Sequence, residues 1–229
     1  MSKWKIQNKN AEPWSAYHTI ILLGALLWNE AVYYCARLLA GSRPHYVLET
    51  PLDQWIPVLP WSVAVYFGCF LFWGVNYWLC ARQSREKSDR FFCADAMAKT
   101  ICFFIFLVLP TTNCRPEITG ADLWSELLRL LYRIDAPDNL FPSIHCLVSW
   151  LCWVGVRGRT DLPKAYRWFS FVAAIAVCLS TLTTRQHVIV DVAGGIVLAE
   201  LCYWLCGYPA VRGVYGRMVD AIAGWFCRK

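Results

Sequence analysis

The sequence contains little charge. Asp, Glu, Lys and Arg make up 17% of the 229 residues, whereas 58% of the residues are apolar and 16% are aromatic. Soluble globular domains usually carry about 25% charged residues, and the mean hydropathy of this chain is positive. The composition therefore excludes an ordinary soluble domain and predicts a membrane protein.

The chain also lacks the features that separate domains. It has no internal repeat, no low-complexity tract and no linker rich in Ser and Gly. We therefore expect a single integral membrane domain over residues 1–229. No cleavable signal peptide is apparent, because the first apolar stretch is too long and no small-residue cleavage site follows it. We expect that stretch to remain as an anchor.

Cysteine is abundant, but its spacing does not suggest a disulfide framework or a metal site. The twelve cysteines include no CxxC pair, and most of them lie inside apolar stretches. A thiol in such a place behaves as a small hydrophobic group. Cys114 and Cys146 differ from the others, because both are predicted to lie near the outer face of the membrane.

Long apolar stretches define the predicted fold. A helix that crosses a membrane needs roughly 20 mostly apolar residues, and six stretches approach that length. The boundaries of the fourth and fifth stretches are soft, because Ser, Thr and Arg interrupt them. The prediction is an all-α polytopic membrane helical bundle with about six transmembrane helices. These cover about 16–40, 59–81, 93–113, 143–157, 165–184 and 187–207.

The segment between the third and fourth stretches has a different pattern, in which leucines alternate with charged residues at helical spacing. It runs from about Asp122 to about Pro137 and predicts an amphipathic helix on the outer surface of the membrane. The residues that form the pattern are Leu123, Glu126, Leu127, Arg129, Leu130, Leu131 and Arg133.

Lys and Arg are unevenly distributed among the loops. Most of them fall in the N-terminal segment, in the loops at 82–90 and 157–167, and in the C-terminal tail. Cytoplasmic loops carry the excess of positive charge in membrane proteins, so both termini are predicted to be cytoplasmic. This asymmetry explains the net charge of +6, so no nucleic-acid partner is expected. The plasma membrane is the expected location, and an internal membrane with a lumenal site would give the same pattern.

Polar features occur where the third to sixth stretches should meet the outer face. His187 and Asp191 are four residues apart, so a helix places them on one face. A carboxylate in that position accepts a hydrogen bond from one ring nitrogen and leaves the other nitrogen free and oriented. A nucleophilic or basic histidine requires this arrangement.

A second histidine lies near the start of the fourth stretch. His145 follows Pro142 and Ser143, which suit the first turn or the cap of a helix. A helix N-terminus offers unpaired N–H groups and a positive dipole end to a phosphate oxygen. Arg115 and Arg185 add positive charge suited to bidentate contact with phosphoryl oxygens. Without a cluster of acids that could hold magnesium, this set predicts phosphoryl transfer.

These residues resemble the motifs of the type-2 phosphatidic acid phosphatase superfamily, which are KxxxxxxRP, PSGH and SRxxxxxHxxxD. The chain has Arg115-Pro116, then "PSIH" at 142–145, then "STLTTRQHVIVD" at 180–191, in the same order. The resemblance covers roughly residues 59–207 and implies a membrane enzyme that acts on lipid phosphates.

Three positions depart from these motifs. Val108 stands at the lysine, Ile144 at the glycine and Thr181 at the arginine that follows the serine. Arg185, two residues before His187, is a candidate for the missing cation. Such departures are similar to the branch that resembles inositol phosphorylceramide and sphingomyelin synthases, which transfer a phosphorylated head group between lipids.

The resemblance implies a role for each motif residue. His187 would attack phosphorus and form a phosphohistidine, Asp191 would orient it, and His145 would protonate the leaving oxygen. No metal or other cofactor is implied. The expected activity is hydrolysis of phosphatidate or of a polyprenyl phosphate or diphosphate at the outer face, with head-group transfer between lipids as the alternative. The expected phosphate-binding residues are Arg115, Ser143, Ser180 and Arg185.

Three other classes of protein remain open from the sequence. A bis-histidine haem or metal protein would place its histidines deep in the bundle. An intramembrane protease would use Ser143 or Ser180 with His187, but the glycines expected beside such a serine are missing. A channel or scaffold would leave the spacing of His187 and Asp191 without an explanation.

Acidic residues inside the apolar stretches are candidates for function by default. Asp95 and Lys99 are four residues apart and are expected to pair with each other. Glu30 is a candidate contact of the site, since it lies in the outer half of the first stretch. Asp135, Asp138 and Asn139 precede the fourth stretch and are assigned to a turn around Pro137, with a collar around the substrate as the alternative.

Overall fold

The structure, a computed structural model, describes residues 14–226. Several residues that contribute to the predicted charge asymmetry lie outside the described residues, as do both ends of the predicted domain 1–229. They are Lys3, Lys5, Lys9, Arg228 and Lys229.

The described chain is almost entirely helical. Two 3-10 turns, Asp53–Trp55 and Pro60–Ser62, precede the second helix, and two short strands, β1 (Tyr46–Val47) and β2 (Thr111–Thr112), pair in parallel. The helices are α1 (Ala16–Ala40), α2 (Val63–Ala81), α3 (Arg85–Val108), α4 (Leu123–Ile134), α5 (Ile144–Arg157), α6 (Lys164–Thr183), α7 (Ile189–Leu205) and α8 (Pro209–Phe226).

Helix length and composition identify the membrane spans. Four helical segments, namely α1, α2 with its preceding turn, α3 and α6, are long and apolar enough to cross a membrane. Helices α7 and α8 meet at an angle of 89° and count together as a fifth candidate. Helix α5 has 14 residues, or about 21 Å at 1.5 Å per residue, which is less than a hydrocarbon core of about 30 Å. The protein is thus polytopic with four or five candidate spans, and the count of six stays a prediction.

Helix boundaries differ from the apolar stretches at two places. Helix α3 begins at Arg85, well before the predicted start near residue 93, because its polar first turns are bonded within the protein. Arg85 forms an ion pair with Asp89 one turn later. Helix α8 was not expected at all, since Arg and Gly interrupt its apolar pattern.

Helix α5 lies at the centre of the bundle. It packs against α2, α3, α6 and α7, and Cys146, Leu147, Leu151 and Cys152 are among its fully buried side chains. Other helices therefore enclose α5, and its N-terminus lies inside the protein. Cys146, predicted near the outer face, is one of these buried residues. The eleven cysteines within the described part of the chain are free thiols.

Two adjacent glycines let α7 approach the start of α5. A Cβ atom on Gly195 would lie 2.6 Å from the carbonyl oxygen of Ser143, and one on Gly194 would lie 2.6 Å from the ring of Phe141. Any larger residue would force the two helices apart. The glycine pair therefore allows the N-termini of α5 and α7 to meet.

Helix α4 covers this end of the bundle. Asp122 caps it by accepting hydrogen bonds from the backbone N–H groups of Trp124 and Ser125. Leu128 and Leu131 on its inner face are buried in a small cluster with residues of α2, whereas its other face is exposed. Its location on the membrane surface stays a prediction.

Candidate active site

The N-terminus of α5 carries the first candidate histidine. Ser143 is the N-cap residue, and its hydroxyl accepts a hydrogen bond from the backbone N–H of Cys146 at 3.3 Å. The backbone N–H of Ser143 donates to the carbonyl oxygen of Asp191 at 3.1 Å. This bond joins the two histidine motifs directly. Ser143 is fully buried and acts as a helix cap.

The second candidate histidine lies in the loop just before α7. The Nδ1 atom of His187 is 3.3 Å from Oδ2 of Asp191, and the same oxygen accepts a hydrogen bond from the backbone N–H of Val188 at 3.1 Å. Burial lowers the pKa of His187, but the hydrogen bond and the charge of Asp191 outweigh it and raise the pKa above its usual value. Asp191 therefore fixes the ring and leaves Nε2 free to act.

The two histidines face each other. Their ring centroids are 6.0 Å apart and the rings are tilted by 54°. His145 also contacts two aromatic rings of α2, with its centroid 4.6 Å from that of Tyr66 and 5.4 Å from that of Trp73. The His145 ring is thus held from behind by aromatic side chains.

A polar chain extends from His145 to a carboxylate. The hydroxyl of Tyr66 is 3.4 Å from Nδ1 of His145 and donates a hydrogen bond to Oδ2 of Asp135 at 2.9 Å. The hydroxyl of Tyr33 lies 3.2 Å from the other oxygen of Asp135. Each histidine therefore has a carboxylate behind it, directly for His187 and through Tyr66 for His145.

Arg115 contacts two residues of the site, Asp135 and Gln186. Its guanidinium donates to the backbone carbonyl of Asp135 and to Oε1 of Gln186, and lies 4.9 Å from the ring centroid of Tyr132. Burial lowers the pKa of this guanidinium. Arginine can only donate hydrogen bonds, so its contact fixes the orientation of the Gln186 amide. Within the part of the chain that the structure describes, the NH₂ group of Gln186 is buried without a partner.

A cavity of about 250 Å³ connects these groups. Both histidines line it, together with Gln186 and the carboxylates of Glu30, Asp135 and Asp138. The prediction that Glu30 contacts the site is confirmed. Asp135, which the sequence assigns to a turn, lines the cavity as well.

The structure does not bring Arg185 or Ser180 into this cavity. The guanidinium of Arg185 donates to the carbonyl oxygens of Asp53 and Ile56, both at 2.9 Å, and lies 3.8 Å from a carboxylate oxygen of Glu49. It thus binds the loop that precedes α2. The hydroxyl of Ser180 donates to the carbonyl oxygen of Val177 within α6 at 2.8 Å.

The positions that depart from the motifs contain no cation to replace these contacts. Val108 is the exposed last residue of α3, and Ile144 lines the cavity. The hydroxyl of Thr181 donates to the carbonyl oxygen of Cys178. Val108 and Thr181 stand where the motifs have a lysine and an arginine. The cavity therefore has less positive charge than a chain with the complete motifs would provide.

Four residues of the site were missed by sequence reasoning. Tyr66 and Gln186 are neutral, and nothing in the sequence distinguishes them from the residues beside them. Asp135 appeared to be a turn residue beside Pro137. Asp53 accepts hydrogen bonds from Thr50 and from the backbone N–H of Ile189, so it caps α7 from a loop about 130 residues earlier in the chain. Only the fold could reveal such a contact.

The arrangement defines a class of chemistry. Two opposed histidines at a cavity, each with a carboxylate behind it, suit attack by one ring and proton transfer by the other. Among the described residues, no group of three or more His, Cys, Asp or Glu side chains is placed to hold a metal ion.

Comparison with known proteins identifies the family. A family model described as the PAP2 superfamily matches residues 54–205, a range that contains all of the motif residues. The chain therefore belongs to the PAP2 superfamily, and the resemblance to type-2 phosphatidic acid phosphatases is confirmed. No match is found among curated proteins or among solved structures.

Proposed function

We propose that this protein is a membrane lipid-phosphate phosphatase that works through a phosphohistidine at His187. The observation that carries the proposal is the approach of two histidine rings to 6.0 Å across one cavity. Each ring nitrogen that attacks or protonates must lie near hydrogen-bond distance of its target. A phosphoryl group between the rings meets that requirement from both sides.

The first step uses the orientation of His187. With its Nδ1–H held by Asp191, the lone pair of Nε2 attacks phosphorus and forms an N–P bond. The bond from phosphorus to the lipid oxygen breaks at the same time. His145, in its protonated form, gives a proton to this leaving oxygen and becomes neutral.

The second step reverses the role of His145. Because the hydroxyl of Tyr66 donates its hydrogen bond to Asp135, the hydroxyl oxygen of Tyr66 can accept a hydrogen bond from the Nδ1–H of His145. The neutral His145 ring then has a free Nε2 that removes a proton from the attacking water. Phosphate leaves as the N–P bond breaks, and both histidines return to their starting forms.

Unpaired amides supply contacts for the phosphoryl oxygens in this proposal. The NH₂ groups of Gln186 and Asn139 are buried and have no partner among residues 14–226, and both residues line the cavity. A buried donor without a partner costs about 1–3 kcal/mol, which a bound phosphoryl oxygen would relieve. Arg115 contributes through Gln186, whose orientation it fixes. Ser143 contributes by capping the helix that carries His145.

A second candidate function is transfer of a phosphorylated head group to another lipid alcohol. The observation that favours it is the charge of the cavity, which is lined by three carboxylates. A phosphomonoester carries a charge of about −1.5 to −2 near neutral pH, whereas a phosphodiester carries one negative charge. An acidic cavity suits the diester better. In this case an alcohol takes the place of water in the second step.

Phosphate release with chelator present tests the first candidate. Detergent-purified protein should release phosphate from phosphatidate or a polyprenyl phosphate, and the His187→Ala and His145→Ala variants should not. His18→Ala is the matched control, because His18 lies in the first turn of α1 beside Ser15 and does not line the cavity. If folded wild-type protein releases no phosphate from any lipid in the panel, hydrolysis is excluded. Exchange of labelled head groups between added lipids then tests the second candidate.

Trapping of the intermediate tests the mechanism that both candidates share. Rapid quenching after addition of a lipid labelled in its phosphoryl group should leave label on the protein. The label should be labile to acid, as an N–P bond is, and should be missing from His187→Ala. Label that remains in His187→Ala would exclude His187 as the nucleophile.

A further inference from the structure

The side of the cavity that faces α1 and α2 is rich in aromatic rings. The rings of Phe70 and Trp73 are 5.2 Å apart, and those of Tyr33 and Tyr34 are also 5.2 Å apart. All four line the cavity with Tyr66. A cluster of ring faces of this kind attracts a cation, such as an ammonium group within about 6 Å of a ring centroid.

Three carboxylates line the same cavity. Asp138 forms an ion pair with Arg37 at 3.1 Å, so its charge is balanced within the protein. Asp135 receives two tyrosine hydroxyls at its carboxylate and interacts electrostatically with the nearby Arg115 guanidinium. Glu30 has an amide of Asn29 at 3.3 Å and no ion-pair partner within residues 14–226.

The lining of the cavity supplies no permanently charged cation to these carboxylates within the described residues. Within the described part of the chain, neither Lys nor Arg is among the lining residues. The adjoining cavity of about 400 Å³ shares Glu30, Phe70 and Trp73 and includes Lys99, but Lys99 is already paired with Asp95 at 2.9 Å. Glu30 is an exposed residue of α1, a helix long and apolar enough to cross a membrane, and a carboxylate in such a helix normally has a cationic partner. No such partner of Glu30 is present within residues 14–226.

Other residues that line the cavity have the complementary property. Within the described residues, the NH₂ group of Gln186, a side chain only 1% exposed, lacks an acceptor, and so does the NH₂ group of Asn139. Buried donors, together with the carboxylate of Glu30 and the aromatic rings, match a ligand that has a negative and a positive end.

We propose that the cavity binds a zwitterionic lipid head group, a phosphodiester whose alcohol carries an ammonium or quaternary ammonium group. The phosphoryl group lies between His145, His187 and the Gln186 amide, and the cation lies beside Glu30 among the rings of Tyr33, Phe70 and Trp73. The position of the phosphoryl group rests on the phosphohistidine route of the proposed function, and a diester ligand corresponds to its second candidate, head-group transfer. The cation supplies the positive charge that Val108, Thr181 and the displaced Arg185 do not provide.

Binding of soluble head-group probes tests this proposal without turnover. Isothermal titration of detergent-purified His187→Ala should show that phosphocholine binds at least about tenfold more tightly than sn-glycerol 3-phosphate. Adding Glu30→Gln, which keeps the side-chain shape, should weaken phosphocholine binding by about tenfold. It should change binding of sn-glycerol 3-phosphate little or strengthen it. Glu86→Gln is the matched control, because Glu86 pairs with Arg212 far from the cavity.

The results separate this proposal from the proposed function. If sn-glycerol 3-phosphate binds as tightly as phosphocholine, if neither probe binds, or if Glu30→Gln has no effect, the zwitterionic site is wrong. The labelled phosphohistidine in wild-type protein would then still support the proposed function. A strong preference for phosphocholine without any label on wild-type protein would instead retain the binding site and exclude the phosphohistidine route.

Discussion

The bundle contains two buried pairs of opposite charge at the same helical spacing, and they behave differently. Lys99 and Asp95 lie one turn apart in α3 at 2.9 Å, with side chains 3% and 1% exposed. His187 and Asp191 lie one turn apart at the start of α7 at 3.3 Å, with side chains 7% and 1% exposed. Spacing and burial are thus nearly the same for both pairs.

The pairs differ in what surrounds them. Lys99 also donates to the carbonyl oxygen of Ala25, and Asp95 accepts a hydrogen bond from Tyr77, so α1, α2 and α3 all contribute to this pair. His187 faces His145 across a cavity, and one oxygen of Asp191 has no partner in the described structure. A satisfied pair stabilises the fold, whereas a pair with unused capacity beside a cavity is available for chemistry.

Replacement of His187 should give the largest effect on activity. His187→Ala should reduce kcat/KM by about 10⁴-fold or more, because the proposed nucleophile is lost. The melting temperature should change little, because the ring lies at a cavity. Turnover of the lipid identified in the panel, with thermal unfolding of the same preparations, measures both effects. Substantial residual activity in a folded variant would show that the His187–Asp191 pair, like the Asp95–Lys99 pair, is not needed for activity.

Breaking the Asp95–Lys99 pair should lower stability and leave activity nearly unchanged. Asp95→Asn or Lys99→Met alone leaves one buried charge without a partner and should cost about 3–5 kcal/mol of unfolding free energy. The double variant Asp95→Leu/Lys99→Met should recover most of that loss, because two apolar residues replace the pair. Denaturation in detergent measures stability, and activity per folded molecule should stay near that of the wild type. A large loss of turnover in the folded double variant would show that this pair also acts in function.

The sequence predicted the local parts of this molecule well. Periodicity located most of the helices, the spacing of His187 and Asp191 predicted their contact, and the spacing of Asp95 and Lys99 predicted their ion pair. These features succeed because they depend on residues within one or two helical turns. The motif order also led to the family.

Contacts between distant segments could not be predicted in the same way. Asp135 looked like a turn residue, since nothing local reveals that Tyr66 of α2 would reach it. Arg185 looked like a phosphate ligand because only its distance from His187 in the chain was known. Its left-handed backbone conformation, with φ of 54°, is part of the turn after α6, and its side chain contacts the carbonyl oxygens of Asp53 and Ile56 instead.

The pH dependence should distinguish the histidine pair from an ordinary ion pair. His187 must be unprotonated to attack, so kcat/KM should rise with pH through a pKa above the usual 6.5. Asp191→Asn removes the negative charge that raises this pKa, so the acidic limb should move to lower pH. The residual activity of Asp191→Asn, followed across pH 5 to 8, gives the shift. An acidic limb that stays in place would show that Asp191 does not set the protonation of His187.

Tyr66→Phe should have a smaller effect. The variant removes the hydroxyl between His145 and Asp135 but retains the ring that packs on His145. Loss of one hydrogen bond of about 0.5–1.5 kcal/mol predicts a fall in kcat of roughly three- to tenfold. The limb of the pH profile that reports the protonation of His145 should shift as well. Trp73→Phe is a matched control that also contacts His145 but has no hydroxyl toward Asp135. Equal effects of both variants on the pH profile would show that packing alone positions His145.

Arg185→Gln should have the smallest effect on activity, and it tests how the cavity obtains positive charge. Its guanidinium bonds to the loop before α2 rather than to the cavity, so kcat/KM should fall by less than about threefold. The buried carbonyl oxygens lose a charged donor, so the unfolding free energy should fall by about 1–3 kcal/mol. Arg115→Gln should reduce kcat/KM more strongly, because Arg115 orients Gln186. A loss of turnover at unchanged stability in Arg185→Gln would mean that this arginine reaches the phosphoryl group during turnover. The cavity would then not depend on a cation carried by the substrate.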